Sequence, residues 1–221
     1  MISSWDETKQ RSNYHFDNKK FDPAQDRVIR LGVIPPSWQQ ELPSIIENSQ
    51  SATWRTRGAA GKSRPESELA AEEHDLEREG YGADYVITNL NWSIPPVLQN
   101  IADQFALDDV MVRIHVQQPG QVWNYHLDKL EKWNPKDPDS VLRVQIHLTD
   151  WQPGQFWNYG NYCHSMWVAG DVTTFDWQNI PHATANASHH ARVTMQITGI
   201  ITDETCKFLS KLAESATPLE V

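Results

Sequence analysis

From residue 110 onward, apolar and polar side chains alternate with a period of two. In VLRVQIHL (141–148), Leu, Val, Ile and Leu occupy every second position, with polar residues between them. Side chains alternate between the two faces of a β-strand, whereas a helix repeats every 3.6 residues, so this pattern predicts strands. We expect them in VMVRIHVQQ, VWNYHLDKL, VLRVQIHLTDW, FWNYGNY, SMWV, DVTTFDW, HATAN and ARVTMQITGII. Such short strands, separated by Pro-Gly, Ala-Gly and Asn-rich turns, predict an antiparallel sandwich or barrel of the jelly-roll kind.

The part of the chain before residue 110 lacks this alternation. RVIRLGVI (27–34) predicts a short strand, and SWQQELPSII (37–46) predicts a helical turn broken at Pro43. PESELAAEEHDLEREG (65–80) predicts a helix that is charged over most of its surface, and SIPPVLQNIADQFAL (93–107) predicts an amphipathic helix. We therefore expect residues 1–80 to form an irregular and helical extension, partly mobile.

Residues 81–221 are expected to form the catalytic domain, with its core at about 108–203. The overall expectation is a mainly β protein whose core is flanked by N-terminal helices.

Composition excludes several classes of protein. A net charge of −10 disfavours nonspecific nucleic-acid binding, which requires a basic surface. The sequence has no apolar run near the roughly 18 residues of a membrane span and no signal-peptide pattern at its start. The two cysteines form no disulfide framework. We therefore expect a cytoplasmic protein without nucleic-acid or membrane partners, and its oligomeric state stays open.

The polar faces of four predicted strands have an unusual composition. They carry Arg, His, Gln and Thr, with no Glu and hardly any Lys, the usual exposed charges. For a single strand, a solvated face is the ordinary interpretation. Taken together, these faces instead favour an enclosed polar lumen, with the apolar faces covered by the N-terminal helices.

Two near-copies, QPGQVWNYHLD (118–128) and QPGQFWNYGNY (152–162), point to one position in that lumen. QPGQ places Pro and Gly at the centre of a type II turn in both copies. His126 and Asp128 then share one strand face, whereas the second copy has Gly160 and Tyr162 in their places. The shared framework therefore does not require the imidazole and the carboxylate.

His182, at the start of another predicted strand, completes a metal-binding set with His126 and Asp128. Two histidines and one carboxylate on one face of an ion, with other positions open, form the facial triad of non-haem Fe(II) oxygenases. Arg192 and Thr194 share the polar face of the last strand. A guanidinium with an adjacent hydroxyl can hold a carboxylate, so we predict an anion site there.

His126-x-Asp128, His182 and Arg192-Val193-Thr194 together resemble the Fe(II)/2-oxoglutarate-dependent dioxygenase superfamily. Within it, the block GDVTTFDWQNIPHATANASHHARVTMQITG and the strand VLRVQIHL are most similar to the aspartyl/asparaginyl β-hydroxylase family, including its proline-hydroxylase relatives. The resemblance covers about residues 108–203. Animal members have Gly at the position of Asp128, and the family pattern has His at the position of Gln145.

The resemblance implies a double-stranded β-helix core and a hydroxylase that uses Fe(II), 2-oxoglutarate and O2. His126, Asp128 and His182 would be the catalytic metal ligands. The cosubstrate would contact Arg192, Thr194, Arg143 and His115. We assign Trp157, Tyr159 and Trp167 to an amino-acid or peptidyl substrate, and Asp176 and Asn179 to fixing the imidazole tautomers.

Three alternatives remain open. A cupin-type dioxygenase or isomerase would use the metal without 2-oxoglutarate. A non-enzymatic jelly-roll module would saturate a structural ion with protein ligands. A zinc hydrolase could use the same triad, but it would leave Arg192 without a role.

Overall fold

The structure is a computed structural model that describes residues 28–53, 86–91, 93–126, 128, 130, 133–160 and 162–215. Within these ranges the chain forms eleven strands: β1 Ile29–Val33, β2 Gln50–Thr53, β3 Val86–Asn91, β4 Asp108–Gln117, β5 Val122–His126, β6 Val141–His147, β7 Gln155–Tyr159, β8 Tyr162–His164, β9 Asp171–Thr174, β10 His182–Asn186 and β11 Arg192–Ile200. The α-helices in the same ranges are α1 Leu42–Glu47, α2 Pro96–Asp103 and α3 Asp203–Glu214, and a 3-10 turn spans Pro138–Ser140.

Strands β4 to β11 alternate between two antiparallel sheets. The larger sheet has the order β1-β9-β6-β11-β4-β3-β2, and the smaller has the order β5-β10-β7-β8. Along the chain, β4, β6, β9 and β11 lie in the larger sheet, while β5, β7, β8 and β10 lie in the smaller one. This alternation is the jelly-roll winding. The fold is therefore mainly β with a double-stranded β-helix core, which confirms the predicted fold class.

Several predicted boundaries were wrong for identifiable physical reasons. Pro43 does not break a helix but lies in the first turn of α1, where its missing N–H has no intrahelical partner to lose. α2 is shorter than predicted and ends at Asp103. SMWV (165–168) is not a strand but part of the connection between β8 and β9. The predicted charged helix at 65–80 lies outside the described residues.

Helix α3 and strands β2 and β3 were not anticipated. α3 has a sequence signal that we overlooked, because Thr202 and Thr205 form a capping box at its N-terminus. β2 and β3 pair with each other, and β3 pairs with β4. They extend the larger sheet beyond the predicted core. The predicted domain boundary at residue 80 is untested, since residues 54–85 are not described.

The apolar face of the larger sheet packs against the helices and the segment before them. Ile114, Ile146 and Met195 on the sheet are fully buried in one cluster with Trp38 and Phe105. The opposite, polar faces of β4, β6 and β11 are also buried. The side chains on these faces with less than a tenth of their surface exposed include His115, Gln117, Arg143, Gln145, His147, Arg192, Thr194, Gln196 and Thr198. The predicted enclosed polar lumen is confirmed.

The two QPGQ turns have the same geometry and flank the same strand. In each, the fourth residue donates its N–H to the first carbonyl, at 3.1 Å for Gln121 and 3.0 Å for Gln155. The glycines have positive φ, 86° at Gly120 and 95° at Gly154, as the third position of a type II turn requires. β5 and β7 then pair with opposite edges of β10. The predicted type II turns are confirmed.

The twin turns provide a matched stability test. Alanine at either glycine is strained by positive φ, at a cost of about 1–2 kcal/mol. A Cβ at Gly120 would meet nothing within 4 Å, but at Gly154 it would lie 2.9 Å from backbone atoms of Ala187 and Ser188. We expect Gly154→Ala to lower the free energy of unfolding clearly more than Gly120→Ala, as measured by urea denaturation. Equal losses would show that the neighbouring loop yields freely.

Two further observations bear on the sequence predictions. Over the described residues, none of the helices has both the length and the apolar character needed to cross a membrane. Cys163 and Cys206 are both free and exposed.

Candidate metal centre and anion pocket

The predicted metal ligands meet inside the lumen. His126 ends β5, His182 begins β10, and the two residues are direct partners across the antiparallel pair. Asp128 follows β5 and lies 3.7 Å from Nε2 of His126 and 3.6 Å from Nε2 of His182. One potential ligand atom from each residue lies within 4.8 Å of the others. The structure thus brings His182 together with two side chains, His126 and Asp128, that lie far from it in sequence.

A β-bulge in β5 determines which side chains face this centre. Trp123 pairs with Thr184 and His126 with His182, so three steps along β5 match two along β10. Because of the extra residue, Trp123 and His126 lie on one face, and their rings stack at 5.5 Å with an interplanar angle of 11°. Strict alternation along VWNYHLDKL would place Trp123 and His126 on different faces of β5, and the bulge makes that expectation wrong. On β7, without this bulge, Tyr159 is the residue opposite His182.

Arg143 is the charge partner of Asp128. Its Nη1 donates a short hydrogen bond to Oδ2 of Asp128, and its Nε donates to Thr198 at 2.8 Å. Burial by itself would raise the pKa of Asp128. The Arg143 charge, together with the His182 and His126 rings beside the carboxylate, outweighs that effect and holds this pKa well below its usual value. Asp128 is therefore ionised and able to bind a cation.

Backbone carbonyls, rather than the predicted carboxylate and amide, orient these groups. Nδ1 of His182 lies 3.2 Å from the Ile180 carbonyl oxygen, which leaves Nε2 directed at Asp128. Asp176 and Asn179 instead bind each other. They were predicted to fix the imidazole tautomers, and for His182 that prediction was wrong. The N–H of Asp128 donates to the Trp177 carbonyl at 3.0 Å, which holds the backbone of Asp128 in place.

The donor set fits a divalent transition-metal ion. Two ligand bonds of about 2.1 Å to one ion span at most about 4.2 Å, and each histidine has its Nε2 closer than that to one oxygen of Asp128, Oδ1 for His126 and Oδ2 for His182. Two neutral imidazoles and one carboxylate suit Fe, Mn, Co or Zn. Within the described residues no fourth His, Cys, Asp or Glu joins the group. The described residues therefore offer three ligands, and an ion that takes more than three would have positions left for other molecules.

A second polar site lies in the same lumen around Arg192. This residue has 2% of its surface exposed, and no carboxylate among the described residues pairs with it. Its Nε and Nη1, and the hydroxyl of Thr194, have no hydrogen-bond partner in the described part of the chain. Burial lowers the pKa of Arg192 to about 10, so it is still charged at neutral pH. A buried, unpaired guanidinium is costly, and an anionic ligand would satisfy it.

The other residues predicted to contact the cosubstrate or the substrate lie in different parts of the structure. His115 is the cross-strand partner of Thr194 and lies 4.7 Å from the ring of Trp123. Trp157 and Tyr159 are almost fully buried in an aromatic cluster of the smaller sheet. Trp167 belongs to the same cluster, but its ring also lies 5.9 Å from the Arg192 guanidinium carbon.

Three lumen residues were absent from the predicted site. His147 is fully buried between Thr194 and Trp167, with neither ring nitrogen paired among the described residues. Its place on a polar face was visible in the alternation. Trp123 reaches the lumen because of the bulge in β5, and the position of His164 depends on the path of the β8–β9 connection. Neither feature leaves a signal in the sequence.

Comparison with known proteins finds similar solved structures. No family model and no curated protein matches the chain. A predicted oxalate decarboxylase from Thermotoga maritima matches with 10% identity and a TM-score of 0.33, covering 52% of this chain and 81% of that one. A cupin-superfamily sugar phosphate isomerase from Silicibacter pomeroyi matches with 13% identity and a TM-score of 0.32, covering 45% and 55%.

A Cupin 2 conserved barrel domain protein from Salinispora arenicola has 14% identity and a TM-score of 0.29, covering 46% of this chain and 71% of its own. Similarities at this level carry no argument about activity. The strand order shows that this chain is a double-stranded β-helix protein. Its lumen contains a candidate His-Asp-His metal centre.

Proposed function

We propose that this protein is an Fe(II)- and 2-oxoglutarate-dependent dioxygenase that hydroxylates an unactivated C–H bond of an amino-acid or peptidyl substrate. The observation that carries the proposal is the pairing of two sites in one lumen. Among the described residues, three candidate metal ligands lie in the same lumen as a buried arginine with two unpaired nitrogens. A ligand that chelates a metal at one end and has a carboxylate at the other would satisfy both sites, and 2-oxoglutarate has this form.

The bound iron, with O2 and 2-oxoglutarate, supplies the oxidant, and the products are succinate, CO2 and the hydroxylated substrate. The protein's own groups bind and orient. His126, Asp128 and His182 would hold the metal, while Arg192 and Thr194 would hold the distal carboxylate. Arg143 keeps Asp128 ionised and in place. The apolar layers on both sides of the lumen exclude water.

The substrate is proposed from the family resemblance and the character of the lumen. Trp123, stacked on His126, forms an aromatic wall directly beside the candidate centre. Together with Trp157 and Tyr159 it would suit a small or peptidyl substrate. A net charge of −10 disfavours nucleic acid as the substrate. A cytoplasmic location and the absence of a membrane partner are parts of the same proposal.

A metal-dependent dioxygenase or isomerase that does not use 2-oxoglutarate is the competing function. A cupin-superfamily sugar phosphate isomerase is among the matched structures, but a TM-score of 0.32 carries no argument for this function. The competing function requires the same three ligands but gives no reason for a carboxylate to bind Arg192. The two functions therefore differ in the ligand of the anion pocket.

Cosubstrate turnover separates the two functions. Purified protein is incubated with Fe(II), ascorbate, O2 and 2-oxoglutarate, first alone and then with a panel of amino acids and peptides, and succinate is measured. The proposal expects slow succinate formation without substrate and a faster rate with the correct substrate. Asp128→Ala serves as the control for metal-dependent turnover. If the metal-loaded protein forms no succinate under any of these conditions, the proposal is wrong and the competing function is favoured.

A further inference from the structure

The β8–β9 connector, residues 165–170, carries one side chain deep into the lumen. Met166 has a φ of 61°, which is uncommon for a residue other than glycine, and it is 78% exposed. The next residue, Trp167, turns inward and is only 2% exposed. The Trp167 carbonyl accepts from the N–H of Trp151 at 3.0 Å, and the N–H of Ala169 donates to Asp150 at 2.8 Å. The connector is therefore held firmly at several points.

Trp167 and His164 lie around the anion pocket. The ring of Trp167 stacks on His147 at 4.5 Å with an interplanar angle of 17°, and it lies beside Arg192. His164, the last residue of β8, lies 5.7 Å from Trp167 and 5.8 Å from His147. The smaller sheet and its connector thus face the Arg192 and Thr194 side of the larger sheet.

These side chains have polar atoms without partners. Nε1 of Trp167, Nε2 of His164 and both ring nitrogens of His147 have no hydrogen-bond partner among the residues described. Together with Arg192 and Thr194, they form a cluster of buried polar groups without partners among the described residues, and most of these groups can donate a hydrogen bond. Folded proteins leave few such groups unsatisfied, because each costs about 1–3 kcal/mol. If Trp167, His164 and His147 only packed together, there would be no reason for the polar atoms of all three rings to lack hydrogen-bond partners.

We propose that the β8–β9 connector forms the second wall of the anion pocket, and that Trp167 and His164 donate hydrogen bonds to the carboxylate that Arg192 holds. The inference rests on the proposed function in that the carboxylate is the distal one of 2-oxoglutarate. Trp167 is thereby assigned to the cosubstrate rather than to the substrate. The pocket would bind dicarboxylates without a metal.

The charges of the pocket select the class of anion. Burial lowers the pKa of His147 well below its usual value, with His164 and Arg192 adding to the effect. Burial also lowers the pKa of His164 to about 4, with Asp171 opposing and Arg192 reinforcing that shift. Both imidazoles are therefore neutral at pH 7, and Arg192 alone supplies positive charge. One charge surrounded by neutral donors matches a carboxylate better than a doubly charged phosphate.

The test measures binding of succinate, 2-oxoglutarate and inorganic phosphate to metal-free protein in EDTA by calorimetry. Trp167→Phe keeps the aromatic ring and removes only the N–H, and His164→Leu removes the imidazole donor. Trp133→Phe is the matched control, because that indole N–H donates to the Asp109 carbonyl at 3.0 Å. We expect Trp167→Phe and His164→Leu each to raise the Kd for succinate at least about 10-fold, since hydrogen bonds to charged groups are strong. Trp133→Phe should bind as the wild type does.

The outcomes distinguish this inference from the proposed function. Unchanged succinate affinity in Trp167→Phe and His164→Leu, or tighter binding of phosphate than of succinate by the wild type, would overturn the inference even if the enzyme turns over 2-oxoglutarate. Wild-type protein that binds no carboxylate would also overturn it. If succinate binding depends on Trp167 and His164 but no turnover occurs, the pocket stands and the proposed function falls.

Discussion

Replacing Arg192 by leucine is expected to weaken 2-oxoglutarate binding by about two orders of magnitude, while metal affinity stays near that of the wild type. Arg192 is the buried cation of the anion pocket, with two nitrogens unpaired among the described residues. Removing one partner of a buried charge pair costs about 2–5 kcal/mol, largely because the other charge is left unsatisfied. Calorimetry of the Mn(II)-loaded protein with 2-oxoglutarate measures the effect.

Two further variants make the Arg192 result specific. Arg192→Lys keeps the charge but loses the forked donor geometry, so its affinity should fall between those of the wild type and Arg192→Leu. Lys207→Leu removes an exposed cation of α3 that pairs with Glu204 and should leave 2-oxoglutarate affinity unchanged. Normal binding by Arg192→Leu would show that the cosubstrate assignment is wrong.

Replacing Asp128 by alanine is expected to abolish measurable Fe(II) or Mn(II) binding and also to destabilise the fold. Asp128 has two roles, as the only carboxylate of the triad and as the charge partner of buried Arg143. A buried cation left without its partner destabilises a protein by about 3–5 kcal/mol. Metal titration and urea denaturation of the metal-free protein measure the two losses separately.

A double variant separates the two roles of Asp128. In Asp128→Ala/Arg143→Leu the uncompensated charge is gone, so much of the lost stability should return while metal binding remains absent. If Asp128→Ala binds metal as the wild type does, His126 and His182 must bind the ion with other groups, and the triad is wrong. If the double variant is no more stable than Asp128→Ala, the Arg143–Asp128 pair has little structural importance.

The sequence predicted the large features of this fold because they follow from side-chain alternation. Strands β4, β6 and β11 each have one apolar face and one polar face, and alternation alone identified both. The same pattern placed Arg143, Arg192 and Thr194 on lumen faces. The grouping of His126, Asp128 and His182 was also predictable, because imidazole and carboxylate side chains in an enclosed lumen need a partner.

The rest depended on contacts that are distant in sequence. The one-residue bulge in β5 arises where that strand is matched to β10, and it brings Trp123 to the face of His126. The path of the β8–β9 connector places Trp167 against His147 and Arg192, although SMWV had the composition of a strand. The Arg143–Asp128 pair requires β6 to lie across the lumen from the end of β5. No local pattern specifies these three arrangements.

Anaerobic titration of the Fe(II)-loaded protein with 2-oxoglutarate tests the central claim most directly. Chelation of the ion by the keto acid requires both a three-ligand centre with open positions and a cosubstrate that fits the lumen. The account predicts a weak visible charge-transfer band that saturates at one equivalent of 2-oxoglutarate and does not form with succinate, which lacks the keto group. An Fe(II)-loaded protein that shows no such band would contradict the account.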